Sequence, residues 1–270
     1  MELGLLTKAQ LRGPAFRRLH PDVYIGAEAE IDVETRVQAL SVWSHDRGII
    51  AGPLAALAYG ADCQWEDPEI VLDQHCRRSP AGVLTRVDRL PEDEVDSRFG
   101  ALLTSPARTA FDLARRSPLV EAVAAVDALA FREKFGADAL RRVADRHPGA
   151  RGLVQVRQVI DLMEPLAESL PETRLRLGLL ERGVPPATAQ LKVRLRTGKG
   201  TRLDLAWPEH MVALEYDGPE HRSISGQNRD AFDRARLGDL GWDIGVVTSA
   251  MVMDPRAFDE LAARVLRKVT

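Results

Sequence analysis

The sequence predicts an α/β protein of the α+β type. A mixed four-stranded sheet flanked by helices is expected in a C-terminal domain (151–270), after a smaller mixed α+β and helical domain (1–150). Three observations lead there. With 270 residues, 45% of them apolar, the chain is comfortable for two domains and rich enough for real cores. The run His147-Pro148-Gly149-Ala150-Arg151-Gly152 is the strongest helix-breaking cluster in its region. Beyond it the periodicity reads helix, three strands, helix, strand, helix, the order of a mixed sheet with helices packed on it.

The N-terminal elements follow from local signals. Thr7 can cap a short helix through Leu11, and Phe16 to Ile25 alternates as a bent strand pair. A helix is expected over Val33 to Trp43, and another opens at Gly52-Pro53, where proline is tolerated in the first turn. Glu69 to Leu72, Val83 to Val87 and Ala101 to Leu103 read as strands. Ser105-Pro106 is a cap followed by a first-turn proline, and Pro118 opens a helix to Phe131. Ala137 to Asp145 and Leu153 to Met163 are two more helices.

In the last third, Pro171 to Arg182 is a helix ended by Gly183. Strands are expected at Ala189 to Arg196, Arg202 to Trp207, Val212 to Tyr216 and Trp242 to Thr248, with a helix from Asp230 to Leu240 between the last two. Asp254 and Pro255 start the final helix, whose stripe is Phe258, Leu261, Ala262, Val265 and Leu266.

Composition limits the function. A net charge of −3 argues against a chain that is basic all over, so a nucleic-acid partner must be met by a local patch. Two cysteines make no disulfide framework and fit a reducing, cytoplasmic setting. Cys63, His75 and Cys76 lack a second ligand pair at zinc spacing and are read as two buried thiols beside a structural histidine. No leading signal pattern and no apolar run of membrane-spanning length is apparent, so no membrane partner is expected.

The chemistry concentrates in Arg202-Leu203-Asp204-Leu205-Ala206-Trp207 and Ala213-Leu214-Glu215-Tyr216-Asp217-Gly218. Acids inside apolar strands are costly unless paired. Strand alternation sets Asp204 with Arg202 and Ala206 on one face, opposite Leu203, Leu205 and Trp207; Glu215 and Asp217 share a face with Ala213. A turn of two or four residues around Glu209 would bring Asp204 opposite or diagonal to Glu215. Asp204, Glu215 and the Tyr216 carbonyl then offer hard oxygens to Mg²⁺ or Mn²⁺, with Asp217 and the helical acid Glu172 in reach. The competing expectation is an ion pair to Arg202 or Arg236. Lys192, Arg194, Arg196, Lys199 and Arg202, beside Gln190, form a cationic run for a phosphate backbone or a charge-protected edge strand. Arg174 and Arg176 read as solvated helix residues, and Arg108 with Asp112 as an intrahelical pair.

The text Pro171-Glu172-Thr173-Arg174-Leu175-Arg176, Gln190, Arg202-Leu203-Asp204, Glu215-Tyr216-Asp217-Gly218 and His221 resembles the PD-(D/E)XK nuclease superfamily, in particular the very-short-patch-repair endonuclease group. The likeness runs from Ser169 to the C-terminus. It implies a metal-dependent phosphodiesterase fold, with Asp204 and Glu215 as ligands, Glu172 as the helical acid and DNA as substrate. The superfamily's usual lysine, two residues after the second acid, is Asp217 here, and His221, Arg236 or Gln190 are the candidates to stand in for it. Leu5-Leu6-Thr7-Lys8-Ala9-Gln10-Leu11, Arg18 to Tyr24 and Thr104 to Leu113 resemble abortive-infection type IV antitoxins, with the winged-helix start shortened. Together these imply a metal-dependent DNA endonuclease of repair or defence whose N-terminal domain recognises either the substrate or a protein partner. The alternative is a non-catalytic DNA-binding or antitoxin-type regulator on a degenerate nuclease fold.

Overall fold

The computed structural model describes residues 6–61, 67–73, 79–167, 169–218 and 232–270. Cys63, His75, Cys76 and His221 lie outside them. The chain forms two compact units that interleave in sequence: Met1–Ser117 with Arg132–Asp161, and Pro118–Phe131 with Leu162–Thr270. Position 150 falls inside the first unit, and one helix of the N-terminal half goes with the second.

The first unit begins with the single turn α1 (Lys8–Leu11), closed by a capping box between Thr7 and Gln10. Strands β1 (Phe16–His20) and β2 (Val23–Gly26) make a hairpin, with Asp22 in the left-handed region at its turn. Asp32 caps α2 (Val33–Trp43). A five-stranded mixed sheet follows, from β3 (Ile49–Ala51), β4 (Glu69–Leu72), β5 (Leu84–Val87), β6 (Val95–Arg98) and β7 (Ala101–Thr104) in the order β5-β4-β3-β7-β6. Alternation did not expose β3 or β6: one is three residues long, the other is Val-Asp-Ser-Arg. Helix α3 (Gly52–Ala58) packs on α2 and on α4 (Pro106–Arg116), which Ser105 caps as expected. The chain then leaves for α5 (Leu119–Glu133) and returns for α6 (Ala137–Arg146) and α7 (Leu153–Leu162).

The first unit buries charge. Arg108 reaches Asp112 at 3.0 Å, the pair read from its spacing, but also Glu94 at 2.7 Å and Asp88 at 2.9 Å. Glu94 is fully buried and also meets His147 and Arg146. Asp112 is shared by Arg115 and Arg116, and Arg116 continues to Glu69. Each buried carboxylate therefore has at least one guanidinium, the condition under which a buried ion is tolerable.

In the second unit α8 (Leu170–Glu181) precedes three antiparallel strands, β8 (Thr188–Arg194), β9 (Gly200–Trp207) and β10 (Val212–Asp217). A helix over 232–238, α9, leads to β11 (Asp243–Thr248), which lies parallel to β10. The sheet order is β11-β10-β9-β8. Helices α10 (Ser249–Met253) and α11 (Pro255–Val269) finish the chain. Gly178 lets α8 approach α11: a Cβ there would come within 2.8 Å of the Phe258 ring.

Two apolar layers hold this sheet. Leu205, Trp207, Val212, Leu214 and Val247 pack with α8 and α11, whereas Leu203, Ala206 and Ala213 pack with Leu237 of α9. This corrects the expected single core side of β9. Leu203 and Leu205 enter different layers, although simple alternation puts them together. The cause lies across the strand pair. Gln190 stands in β8 at φ 52°, and a left-handed residue interrupts the pleat. Asp204, between the two leucines, is in register with it, since Ala189 pairs with Leu205 and Leu191 with Leu203.

Candidate functional site

The hairpin between β9 and β10 decides where the acids stand. Its connection is four residues, Pro208 to Met211, with Met211 left-handed at φ 53°. Trp207 pairs with Val212, Ala206 with Ala213 and Leu205 with Leu214. Asp204 and Glu215 each stand one residue beyond the last pair of that register, on β9 and β10 respectively.

Three helix and strand signals bring Glu172, Gln190 and Asp204 together. Ser169 caps α8 by accepting from the Glu172 N–H at 3.4 Å, and its hydroxyl donates to Glu172 Oε1 at 2.8 Å. The second oxygen, Glu172 Oε2, accepts from the Gln190 amide at 2.8 Å. The same amide nitrogen lies 3.3 Å from Asp204 Oδ1. Asp204 Oδ2 accepts from the Tyr216 backbone N–H at 2.9 Å. Gln190 thus bridges two carboxylates, and its own Oε1 is buried with no hydrogen-bond partner. Its burial removes Gln190 from the exposed cationic surface with which it was grouped. Tyr216 takes part through its backbone N–H, the donor to Asp204.

Glu215 is half-buried, and Arg234 of α9 stands 3.8 Å from its Oε2. That is the guanidinium contact considered from sequence, made by a different arginine; Arg236 instead meets Asp233 at 3.4 Å. Asp217 is exposed at the end of β10. The donor chemistry of Glu172, Asp204, Glu215 and Gln190 Oε1 is all hard oxygen, which suits Mg²⁺ or Mn²⁺ in kind. Hydrogen bonds through the Gln190 amide join Glu172 and Asp204, and among the described residues no three His, Cys, Asp or Glu side chains gather as a metal-holding group.

The cations form a separate surface. Lys192 and Arg194 project from the edge strand β8 between half-buried Leu191 and Val193, and Lys192 pairs with exposed Arg202. Arg196 is exposed in the turn that follows, whereas Lys199 bonds Asp233 at 2.5 Å.

Sequence reasoning missed Asp127. This α5 residue is buried and takes Arg176 at 2.8 Å, Thr173 Oγ1 at 2.9 Å and the Glu164 N–H at 2.6 Å. Arg176 is accordingly half-buried and paired, not a solvated helix residue. An acid in an otherwise apolar run, Ala122 to Ala130, was the available signal.

Comparison with known proteins gives two findings. Residues 50–162 match the AbiEi antitoxin C-terminal domain family. That segment includes β3 to β7 and the buried Arg108 network. Two Mycobacterium tuberculosis proteins are 29% identical over 264 residues, 96% of this chain and 94% of theirs: the uncharacterized protein Rv2248 of strain H37Rv and the uncharacterized protein MT2308 of strain CDC 1551. Among the described residues no helix is long and apolar enough to cross a membrane.

Proposed function

We propose that this chain is an antitoxin-type regulatory protein that acts by binding, with the second unit offering a basic hairpin to DNA and the antitoxin-like unit free to take a protein partner. The observation that carries the reading is the similarity of residues 50–162 to the AbiEi antitoxin C-terminal domain. The state of the acids supports it. Glu172 and Asp204 are satisfied by Ser169, Gln190 and a backbone N–H, and an exposed acid, Asp217, stands where the nuclease superfamily's lysine is expected. Lys192, Arg194 and Arg196 are exposed, with no ion pair to another described residue. Such cations bind phosphates by displacing counterions, so affinity depends steeply on salt.

The test is DNA affinity measured across a salt series. The parent is expected to bind at low salt, and Lys192→Ala/Arg194→Ala/Arg196→Ala to weaken binding and flatten the log–log salt slope by about 2–3. An unchanged slope would remove the hairpin from the interface.

A second reading is metal-dependent hydrolysis of DNA, favoured by one observation, the joining of Glu172 and Asp204 through Gln190 next to the end of the β9–β10 register, beyond which Glu215 follows. A bound Mg²⁺ or Mn²⁺ would supply charge neutralisation at a phosphate and a more acidic water. It would have to take the place of the Gln190 amide between Glu172 and Asp204. Cleavage of DNA by the parent with Mn²⁺, lost in Asp204→Ala and Glu215→Ala, would favour this reading over the binding one.

A further inference from the structure

We propose that Phe232, flanked by Lys199 and Arg236, is a stacking platform for an unpaired nucleobase, so that the nucleic acid held by the basic hairpin carries a single-stranded stretch. The inference rests on the binding reading above and names its ligand class.

Phe232 is 67% exposed in α9, more than any other aromatic side chain among the large exposed apolar residues. A bare phenyl ring in water forgoes the stabilisation that burial would give it. Among the described residues it belongs to neither core cluster of the second unit. Its neighbours are charged: Lys199, Asp233 and Arg236 line one shallow pocket of about 410 Å³ with it. Asp233 is the only acid of the four, and it holds Lys199 at 2.5 Å and Arg236 at 3.4 Å. Among the described residues of the pocket two cations are therefore held beside the ring against one acid, a balance of one positive charge.

The position extends the basic hairpin. Lys199 closes the turn that begins at Leu195, through the Leu195 N–H to Lys199 carbonyl bond of 2.9 Å. Arg196 lies in that turn, and Lys192 and Arg194 lead into it along β8. A backbone tracking these cations arrives at Phe232. Nucleic acid joins regularly spaced anions to flat π faces, and stacking on an aromatic ring tolerates any base. Bases inside a duplex are already stacked on each other, so an exposed ring selects those that are not.

The experiment measures fluorescence anisotropy at low salt with labelled oligothymidylate of about 20 nucleotides and a duplex of equal length, against parent, Phe232→Ala and Phe232→Trp. The parent should prefer the single strand. Phe232→Ala should weaken single-strand binding by about tenfold and leave duplex binding and the salt slope unchanged, while Phe232→Trp keeps the preference. Equal single-strand affinity for Phe232→Ala and the parent overturns the platform; if the triple hairpin variant still loses binding, the hairpin assignment stands. A parent that binds neither oligonucleotide overturns both. Because the ring is exposed, the substitutions leave the core untouched.

Discussion

Asp127 is a buried acid of the second unit whose ionisation bears on its stability. Burial pushes its carboxyl up to about 7, against the pull of Arg176, the Glu164 N–H and Thr173. The sign follows from proton counting. With an ordinary value of 3.8 unfolded and about 7 folded, the native state binds more protons between those values. Stability from this group is therefore fully present below pH 4 and is lost as pH rises toward 7. Asp127→Asn removes that dependence. The stability of the parent relative to the variant is expected to fall by on the order of 2–4 kcal/mol over that range, read by denaturant unfolding at several pH values. A difference that stays flat would mean that Asp127 is ionised in the fold throughout. At this scale the sequence was legible where chemistry and period agree. Asp204 and Glu215 stood out as acids in apolar strands, and the four-residue connection between those strands is one of the two lengths that parity allowed. Gln190 was not legible in its bridging role, because nothing in Ala-Gln-Leu announces a left-handed residue. Nor was Arg176, whose acid lies 49 positions upstream.

Strands β8 and β9 carry the lesson at the scale of elements. Their ends were visible to within a few residues, as were α2, α4, α8 and the Asp254–Pro255 start of α11. Caps, prolines and period are local, so they can be read locally. Which layer each leucine enters is not local, since it depends on the irregular residue in the neighbouring strand. A double-mutant cycle tests the layer assignment. Leu203→Ala and Leu205→Ala should each cost about 2–5 kcal/mol. Because the two side chains belong to different clusters, the costs should add within about 0.5 kcal/mol. Strong coupling would indicate one shared layer and restore plain alternation.

For the whole molecule, the order of segments matters more than their number. The fold class was readable from the helix and strand sequence of the last third. The assignment of α5 was not, because periodicity records that a helix is apolar and not which core receives it. Ala122 to Ala130 are all buried, as expected for a helix enclosed on every side. A fragment of residues 151–270 lacks Pro118–Phe131 and leaves Thr173 and Arg176 without Asp127. It is expected to unfold without a cooperative transition, whereas 118–270 retains one; calorimetry on both decides. If 151–270 melts as sharply as the longer fragment, α5 is dispensable to the second unit.

The detour through α5 also bears on inheritance. A stretch of coding DNA exchanged at position 150 would carry over a body with a rib missing and leave the donor with a surplus one. Descent by such exchange would favour crossovers outside 118 to 161 and keep both halves as a single heritable piece.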